Sequence, residues 1–260
     1  MKICMKQMMV YKDNSYNLDQ LNHIEDCDIL VLPEMWNCPY YNDILKESYK
    51  WHDESLDKLK QVARQHHIWI VGGSICVKEN DHLYNRCYIL NDVGNVVCSY
   101  DKTHLFTFKN YTEADVFTAG DHFQTFDTPW GTCGILLCYD IRFPEVSRIL
   151  SKNGAQILFC PAAFNEKVTK KHWSLFTQTR ALENEVFVCG VAPAKYTYKN
   201  YTSGGHSMIV SPFGDIIEEL SDNKESCVIN IDLKQIQKAR EQMPFWKIRR
   251  CDLYENNKNQ

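Results

Sequence analysis

Three apolar segments of the chain each run into an ionisable side chain: Leu32-Pro33-Glu34, Tyr100-Asp101-Lys102 and Leu137-Cys138-Tyr139. In layered α/β proteins, ligand sites gather beyond the carboxyl ends of strands. A carboxylate, an ammonium and a thiol brought together there form a working set. A thiol is a weak nucleophile until it loses its proton. A carboxylate whose pKa is raised by burial can take that proton. An ammonium beside both favours the thiolate and holds negative charge on an attacked carbonyl oxygen. The N–H of Tyr139, directly after the sulfur, offers a second donor to that oxygen. The chemistry this describes is acyl transfer from an amide through a thioester. Taken singly, each residue has a duller explanation: Cys138 as a small buried hydrophobe, Glu34 as a helix cap, Lys102 as a solvated loop residue.

The elements that must position these residues can be read around them. Ile135-Leu136-Leu137 reads as a buried strand bounded by Gly131 and Gly134, and Pro144 suits the first turn of a helix. Cys138 therefore falls in a turn whose backbone N–H groups are free to face negative charge. After Asp28, residues 29–32 are unalternated aliphatics, which implies a strand covered on both faces, stopped by Pro33. Residues 83–90 and 95–100 form a hairpin about Asn91-Asp92-Val93-Gly94, and its return strand leads into Lys102. The long polar and aromatic loop up to Gly120 has the length of a functional loop. Elsewhere, residues 2–10, 68–74, 123–128, 155–160 and 186–192 read as strands. Residues 14–24 (capped by Asn14 or Ser15), 54–66, 145–152, 170–185 and 233–242 read as helices. Residues 205–211, 216–220 and 226–231 suggest a late β meander. Strands alternating with helices, with hairpins among them, predict one α/β layered domain over 1–260 with mixed sheets.

Composition narrows the classes. Hydrophobic residues make up 44% and charged residues 24% of the chain, which is ordinary for a globular protein. A formal net charge of -4 argues against a broad basic face for nucleic acid. No apolar run approaches the roughly 20 residues of a membrane span. The start, Met1-Lys2-Ile3-Cys4, carries no apolar signal core, so the expectation is a cytoplasmic protein. The 12 cysteines are scattered through apolar runs without metal-ligand spacing, which predicts reduced core residues and no metal. A thiol redox sensor and a non-catalytic binding protein are the readings outside enzymology.

The same stretches carry a family resemblance. Leu32-Pro33-Glu34-Met35-Trp36, Asp101-Lys102-Thr103-His104-Leu105, Cys138-Tyr139-Asp140-Ile141-Arg142-Phe143-Pro144-Glu145 and Gly205-His206-Ser207-Met208 resemble the nitrilase superfamily of carbon–nitrogen hydrolases. The resemblance implies a Glu-Lys-Cys triad of Glu34, Lys102 and Cys138, with Glu113 as a second glutamate in the long loop. It implies a four-layer αββα sandwich with two mixed β-sheets. It also implies a homodimer through helices near the cysteine, with the tail 243–260 at that interface. No cofactor is implied. Trp36-Asn37-Cys38-Pro39-Tyr40, Ala163-Phe164-Asn165, Arg180-Ala181-Leu182-Glu183-Asn184 and the Met243 to Tyr254 stretch look most like the omega-amidase branch. That branch hydrolyses the terminal amide of 2-oxoglutaramate or 2-oxosuccinamate to an oxo-diacid and ammonia. Deaminated-glutathione amidases share much of the tail, and N-carbamoyl and nitrile hydrolases share the triad. Residues 8–26 look shorter than the family pattern, which leaves the first helix open.

A small amide carrying an oxo-acid carboxylate needs a cationic or N–H-rich pocket. Arg142 and Lys109 are the candidate cations, with an ion pair to Glu145 the alternative for Arg142 and plain solvation for Lys109. Tyr40, Tyr41, Tyr111 and Phe164 are the candidate walls.

Overall fold

A computed structural model describes residues 1–109 and 111–254; the end of the tail, 255–260, lies outside the described residues. Two sheets carry the fold. The first has seven strands: β1 (Lys2–Gln7), β2 (Ile29–Val31), β3 (Trp69–Val71), β4 (Ile75–Glu79), β5 (His82–Leu90), β6 (Val96–Asp101) and β17 (Glu225–Asn230). Its order is β17-β1-β2-β3-β5-β4, with β6 also paired to β5. Two short pairs lie outside the large sheets: β7 (Thr107–Phe108) with β8 (Tyr111–Thr112), and β13 (Thr197–Tyr198) with β14 (Tyr201–Thr202). The second sheet has order β16-β15-β12-β11-β10-β9, built from β9 (Thr125–Thr128), β10 (Gly131–Ile135), β11 (Ile157–Pro161), β12 (Phe187–Val191), β15 (Met208–Val210) and β16 (Ile216–Glu219). Parallel pairs β1–β2–β3 and β10–β11–β12 form the centre of each sheet, and the outer pairs are antiparallel.

The period-2 geometry of strands explains the layers. Along β2, Ile29 and Val31 face the second sheet, where they meet Ile135, Phe159 and Phe187. Leu30, between them, faces Leu59, Val62 and Ala63 of the helix His52–His66. Along β11, Ile157 and Phe159 face the inter-sheet core, while Leu158 and Cys160 pack on Val146, Leu150 and Ala181 of the helices Pro144–Lys152 and Ser174–Asn184. Strands buried on both faces are the reason their sequences do not alternate. The result is the αββα sandwich. No helix among the described residues is long and apolar enough to cross a membrane.

Several local expectations need correction. The strand read at Ile135-Leu136-Leu137 is Gly131–Ile135, and the chain leaves the ladder before the cysteine. The late meander is split, because β17 crosses to the first sheet and pairs with β1 in register Lys2↔Asn230. β4 was not foreseen; it forms a hairpin with β5. The helix expected over 170–185 is built in three pieces, with a π turn at Thr169–Trp173 between Glu166–Val168 and Ser174–Asn184. The first helix is only Asn14–Asp19, and Asp13, not Asn14 or Ser15, caps it by accepting the Ser15 N–H at 3.0 Å.

Candidate active site

Each of the three chemistry-bearing side chains sits just past a strand. After β2 the chain turns at Pro33, and the Glu34 N–H reaches the Ala162 carbonyl beyond β11 at 3.3 Å. The turn demands a close backbone approach: a Cβ on Gly73 would lie 2.0 Å from the Pro33 oxygen, so only glycine fits there. Lys102 follows β6, with its N–H on the Asn85 carbonyl at 3.0 Å. Cys138 follows β10 and opens the single helical turn Cys138–Arg142. Its φ of 48° lies in the left-handed region, which is unusual for a residue with a side chain and is held only by surrounding structure. Cys138 and Tyr139 are the first residues of that turn, so their N–H groups have no partner within it.

The structure brings Glu34, Lys102, Glu113 and Cys138 into one buried cluster. Lys102 Nζ donates to Glu34 Oε1 at 2.7 Å and to Glu113 Oε2 at 2.8 Å, and all three side chains are fully buried. Asn85 Nδ2 donates to the same Glu34 oxygen at 2.9 Å. The other one, Oε2, is buried and accepts no N–H or O–H, and the Cys138 thiol approaches this carboxylate. Glu113 is held by the Tyr40 hydroxyl and the Phe106 N–H, which donate to its two oxygens.

Burial pushes the Glu34 carboxyl above the ordinary carboxylate range; Lys102 opposes this and the Glu113 charge adds to it. Burial and then the Glu34 charge hold the Cys138 thiol well above its usual value, against the pull of Lys102 and the Ala163 N–H. For Lys102 burial acts downward, but the carboxylates of Glu113 and Glu34 outweigh it and its pKa rises. Burial thus favours the protonated thiol, the two glutamates favour the charged ammonium, and Glu34 takes a proton more readily than an exposed glutamate. That arrangement suits general-base activation of a thiol next to a fixed oxyanion donor.

The remaining candidates separate. Tyr40 lines a small pocket beside Glu34, its ring centroid 5.8 Å from that of Tyr201. Tyr111 is half-buried against Phe106, with its hydroxyl unpartnered, and its phenol is raised by burial and by Glu113. Phe164 is buried edge-on against Trp173. Arg142 forms no ion pair with Glu145 among the described residues; its guanidinium stands 5.6, 5.5 and 4.9 Å from the rings of Tyr139, Phe164 and Phe176, and its buried Nε has no hydrogen bond. Of the six candidates only Tyr40 lines this pocket; Arg142, Tyr111, Phe164, Lys109 and Tyr41 lie outside its lining. Lys109 lies in the exposed turn between β7 and β8, its ammonium over the Phe108 ring, and does not line the pocket. Tyr41 also lies outside the lining and braces Tyr198 and Lys199 from behind.

That bracing identifies what the sequence reading missed. The β13–β14 hairpin closes the pocket with Tyr196, Tyr198 and Tyr201, and Tyr201 donates to the Ala163 carbonyl at 2.7 Å. The pocket holds only about 20 Å³, room for one water, and of the reactive groups Glu34 alone lines it. A much larger cleft of about 680 Å³ opens beside Lys6 and Tyr16, but it contains none of the reactive groups. The assignment follows the chemistry and not the volume. Among the described residues no group of three or more His, Cys, Asp or Glu is arranged to hold a metal ion.

A family model for carbon–nitrogen hydrolases matches residues 17–241. The chain is 35% identical to omega-amidase NIT2 of Xenopus tropicalis over 99% of both chains. It is 35% identical to omega-amidase NIT2 of Homo sapiens, over 87% of this chain and 84% of that one. The fold superposes on the crystal structure of Saccharomyces cerevisiae Nit3, a member of branch 10 of the nitrilase superfamily, with a TM-score of 0.88, 30% identity and 96% of each chain covered.

Proposed function

Because this chain belongs to the carbon–nitrogen hydrolase family and is a hydrolase of non-peptide C–N bonds, we propose that it is a thiol-dependent amidase. Its substrate on this reading is a small oxo-acid amide such as 2-oxoglutaramate, cleaved to the acid and ammonia. The observation that carries the proposal is the Glu34 carboxylate, one oxygen held by Lys102 and Asn85, the other without a hydrogen bond, in a group that the Cys138 thiol approaches. Glu34 takes the thiol proton as the sulfur attacks the amide carbonyl. Lys102 Nζ and the Tyr139 N–H receive the oxyanion. The C–N bond breaks as Glu34 returns the proton to the leaving nitrogen, and ammonia departs. Water then attacks the thioester, giving its proton to Glu34, and Cys138 is regenerated as the thiol. Glu113 holds the Lys102 ammonium in place during both halves.

The carboxylate end of the substrate is assigned to Arg142. A guanidinium caged by Tyr139, Phe164 and Phe176 without a carboxylate partner is suited to bind one. The names of the relatives support the omega-amidase reading for this chain. Cys138→Ala is expected to abolish ammonia release while leaving the melting curve intact. Wild-type protein quenched during turnover is expected to carry the acyl mass on the peptide containing Cys138. Turnover by Cys138→Ala sinks the proposal. Rates on 2-oxoglutaramate, deaminated glutathione and an N-carbamoyl amine at equal concentration decide the substrate; a preference for either of the last two replaces it.

We also propose that two copies associate through the helices Pro144–Lys152 and Ser174–Asn184, next to the nucleophile's turn. Leu175, Leu182 and Phe245 expose 61%, 38% and 37% of their surface there, around a groove. Sedimentation is expected to give a dimer that Leu175→Glu dissociates; a wild-type monomer at micromolar concentration overturns this.

A further inference from the structure

Asp140 is fully buried two residues after the nucleophile and accepts hydrogen bonds from five donors. Oδ2 takes the Leu137 N–H at 2.9 Å and the Tyr100 hydroxyl at 2.8 Å. Oδ1 takes the Thr103 hydroxyl at 3.1 Å, the His104 N–H at 3.0 Å and His104 Nδ1 at 2.8 Å. An ionised carboxylate only accepts, so the proton on that ring sits on Nδ1. One donor precedes Cys138, and the others flank Lys102 on both sides. Among the described residues, every hydrogen bond between segments 100–104 and 137–142 ends on this one carboxylate. Apolar stacking of His104 on Phe143, with centroids 3.8 Å apart, backs the same junction.

We propose that Asp140 is a positioning residue that sets the relation between the Cys138 sulfur and the Lys102 ammonium. The proposal rests on the reading of Cys138 as nucleophile and Lys102 as oxyanion donor. The two groups come from different sheets: Lys102 from the end of β6, Cys138 from the end of β10. A nucleophile in the left-handed region does not keep its direction unaided. The carboxylate fixes it by closing the turn through Leu137 and by gripping the chain around Lys102 with charge-assisted bonds, which are the stronger kind. Asp140 itself touches neither the thiol nor the lysine.

This role separates two reactions of the same sulfur. Attack on an amide needs both the thiol and the oxyanion donors in register. Displacement of iodide from iodoacetamide forms no oxyanion, so it needs the thiol and its base and feels Lys102 only through its pull on the thiol proton. In Asp140→Asn the amide NH2 meets donors of Thr103 or His104, and the grip on the lysine segment is lost. The expected fall in kcat on the amide substrate is about 100-fold, the size of losing one oxyanion donor, with KM within about threefold of wild type. Alkylation of Cys138 by iodoacetamide is expected to stay within about threefold of wild type, because the SN2 step makes no use of the oxyanion donors. Asp140→Glu, which keeps the acceptors, is expected to recover part of kcat. His104→Ala removes one of the five bonds to the carboxylate, together with the stacking on Phe143, and leaves the other four donors in place. It decides the matter if Asp140→Asn does not fold, with about a tenfold fall in kcat and unchanged alkylation.

Equal losses of turnover and alkylation that track the melting temperature overturn the proposal, as does a wild-type kcat in His104→Ala. Turnover by Cys138→Ala removes the premise instead, so the two failures are told apart by that variant alone.

Discussion

Replacing Lys102 with methionine tests the electrostatics of the cluster most directly. The side chain is similar in length and apolar, so the space stays filled while the charge goes. Lys102 bridges Glu34 and Glu113 at 2.7 and 2.8 Å, all three being fully buried. At an effective dielectric constant near 20, each contact is a gross attraction of about 6 kcal/mol. What is measured on breaking a buried pair is the smaller net penalty of leaving charge unpaired, about 3–5 kcal/mol. Two carboxylates then face each other in a dry site. They escape by holding a proton, and the Glu34 pKa, already raised by burial, then rises further above the unfolded value of about 4.3. A group whose folded pKa is raised contributes stability that is full below the unfolded value and is lost as pH rises toward the folded one.

Lys102→Met is therefore expected to be little destabilised at pH 5 and destabilised by about 3–5 kcal/mol at pH 8. For a chain of this size that is about 10 °C in melting temperature. Wild-type Glu34 gives a slope of the same sign, so the quantity to compare is the difference between variant and wild type at each pH, from urea or thermal melts. Lys102 in the wild type is held ionised throughout that range and adds no slope of its own. The kcat of the variant is expected to fall by about 10²–10³-fold through loss of the oxyanion donor. A destabilisation equal at both pH values refutes the reasoning, because the ammonium would then not be the counter-charge of two ionised carboxylates.

The remaining predictions concern the base and the substrate end. Because Glu34 must be ionised to take the thiol proton and burial raises its pKa, kcat/KM is expected to fall on acidification at a pH above the ordinary glutamate value of about 4.3. Asn85→Leu, which removes a bond to the ionised form, is expected to move that limb further up; a pH–rate profile with the limb unmoved contradicts the role of Asn85. Arg142→Leu is expected to raise KM for a carboxylate-bearing amide about tenfold, with much less effect on the same amide as its methyl ester. Lys109→Ala is expected to leave KM unchanged, since its ammonium faces Phe108 on the surface; initial-rate kinetics on both amides check the pair.

The sandwich and the reactive residues were legible for different reasons. Strand ends are local, so Glu34, Lys102 and Cys138 could be placed from the apolar runs that precede them. Burial on both faces left its mark in β2 and β11 as unalternated aliphatics. Glu113 was legible only through resemblance, because nothing in Tyr111-Thr112-Glu113 distinguishes a catalytic carboxylate from a surface one. Asn85 had no signal at all: it is a polar residue inside a strand whose purpose appears only when β5 is laid beside Glu34. The closing hairpin was hidden in the same way. Tyr196-Thr197-Tyr198-Lys199-Asn200-Tyr201 carries no alternation that marks a strand, and its partners Tyr40, Tyr41 and Ala163 are distant in sequence. The crossing of β17 to β1 failed for a related cause, since strand order is set by non-local pairing that a period-2 pattern does not encode.

The charge inventory explains why a site this dry can run the proposed reaction. With both carboxylates ionised, Lys102 an ammonium and Cys138 a neutral thiol, the cluster carries one net negative charge. A free thiolate would add a second, and burial together with Glu34 forbids it. If the proton moves to Glu34 as the sulfur attacks, the charge lost by the carboxylate reappears on the carbonyl oxygen beside Lys102. The net charge never changes; it only shifts within the cluster. Such a shift needs no water to reorganise, and the fixed donors act more strongly where water is excluded. On the proposed mechanism the tyrosine hairpin, which leaves room for about one water beside Glu34, keeps that electrostatic environment dry.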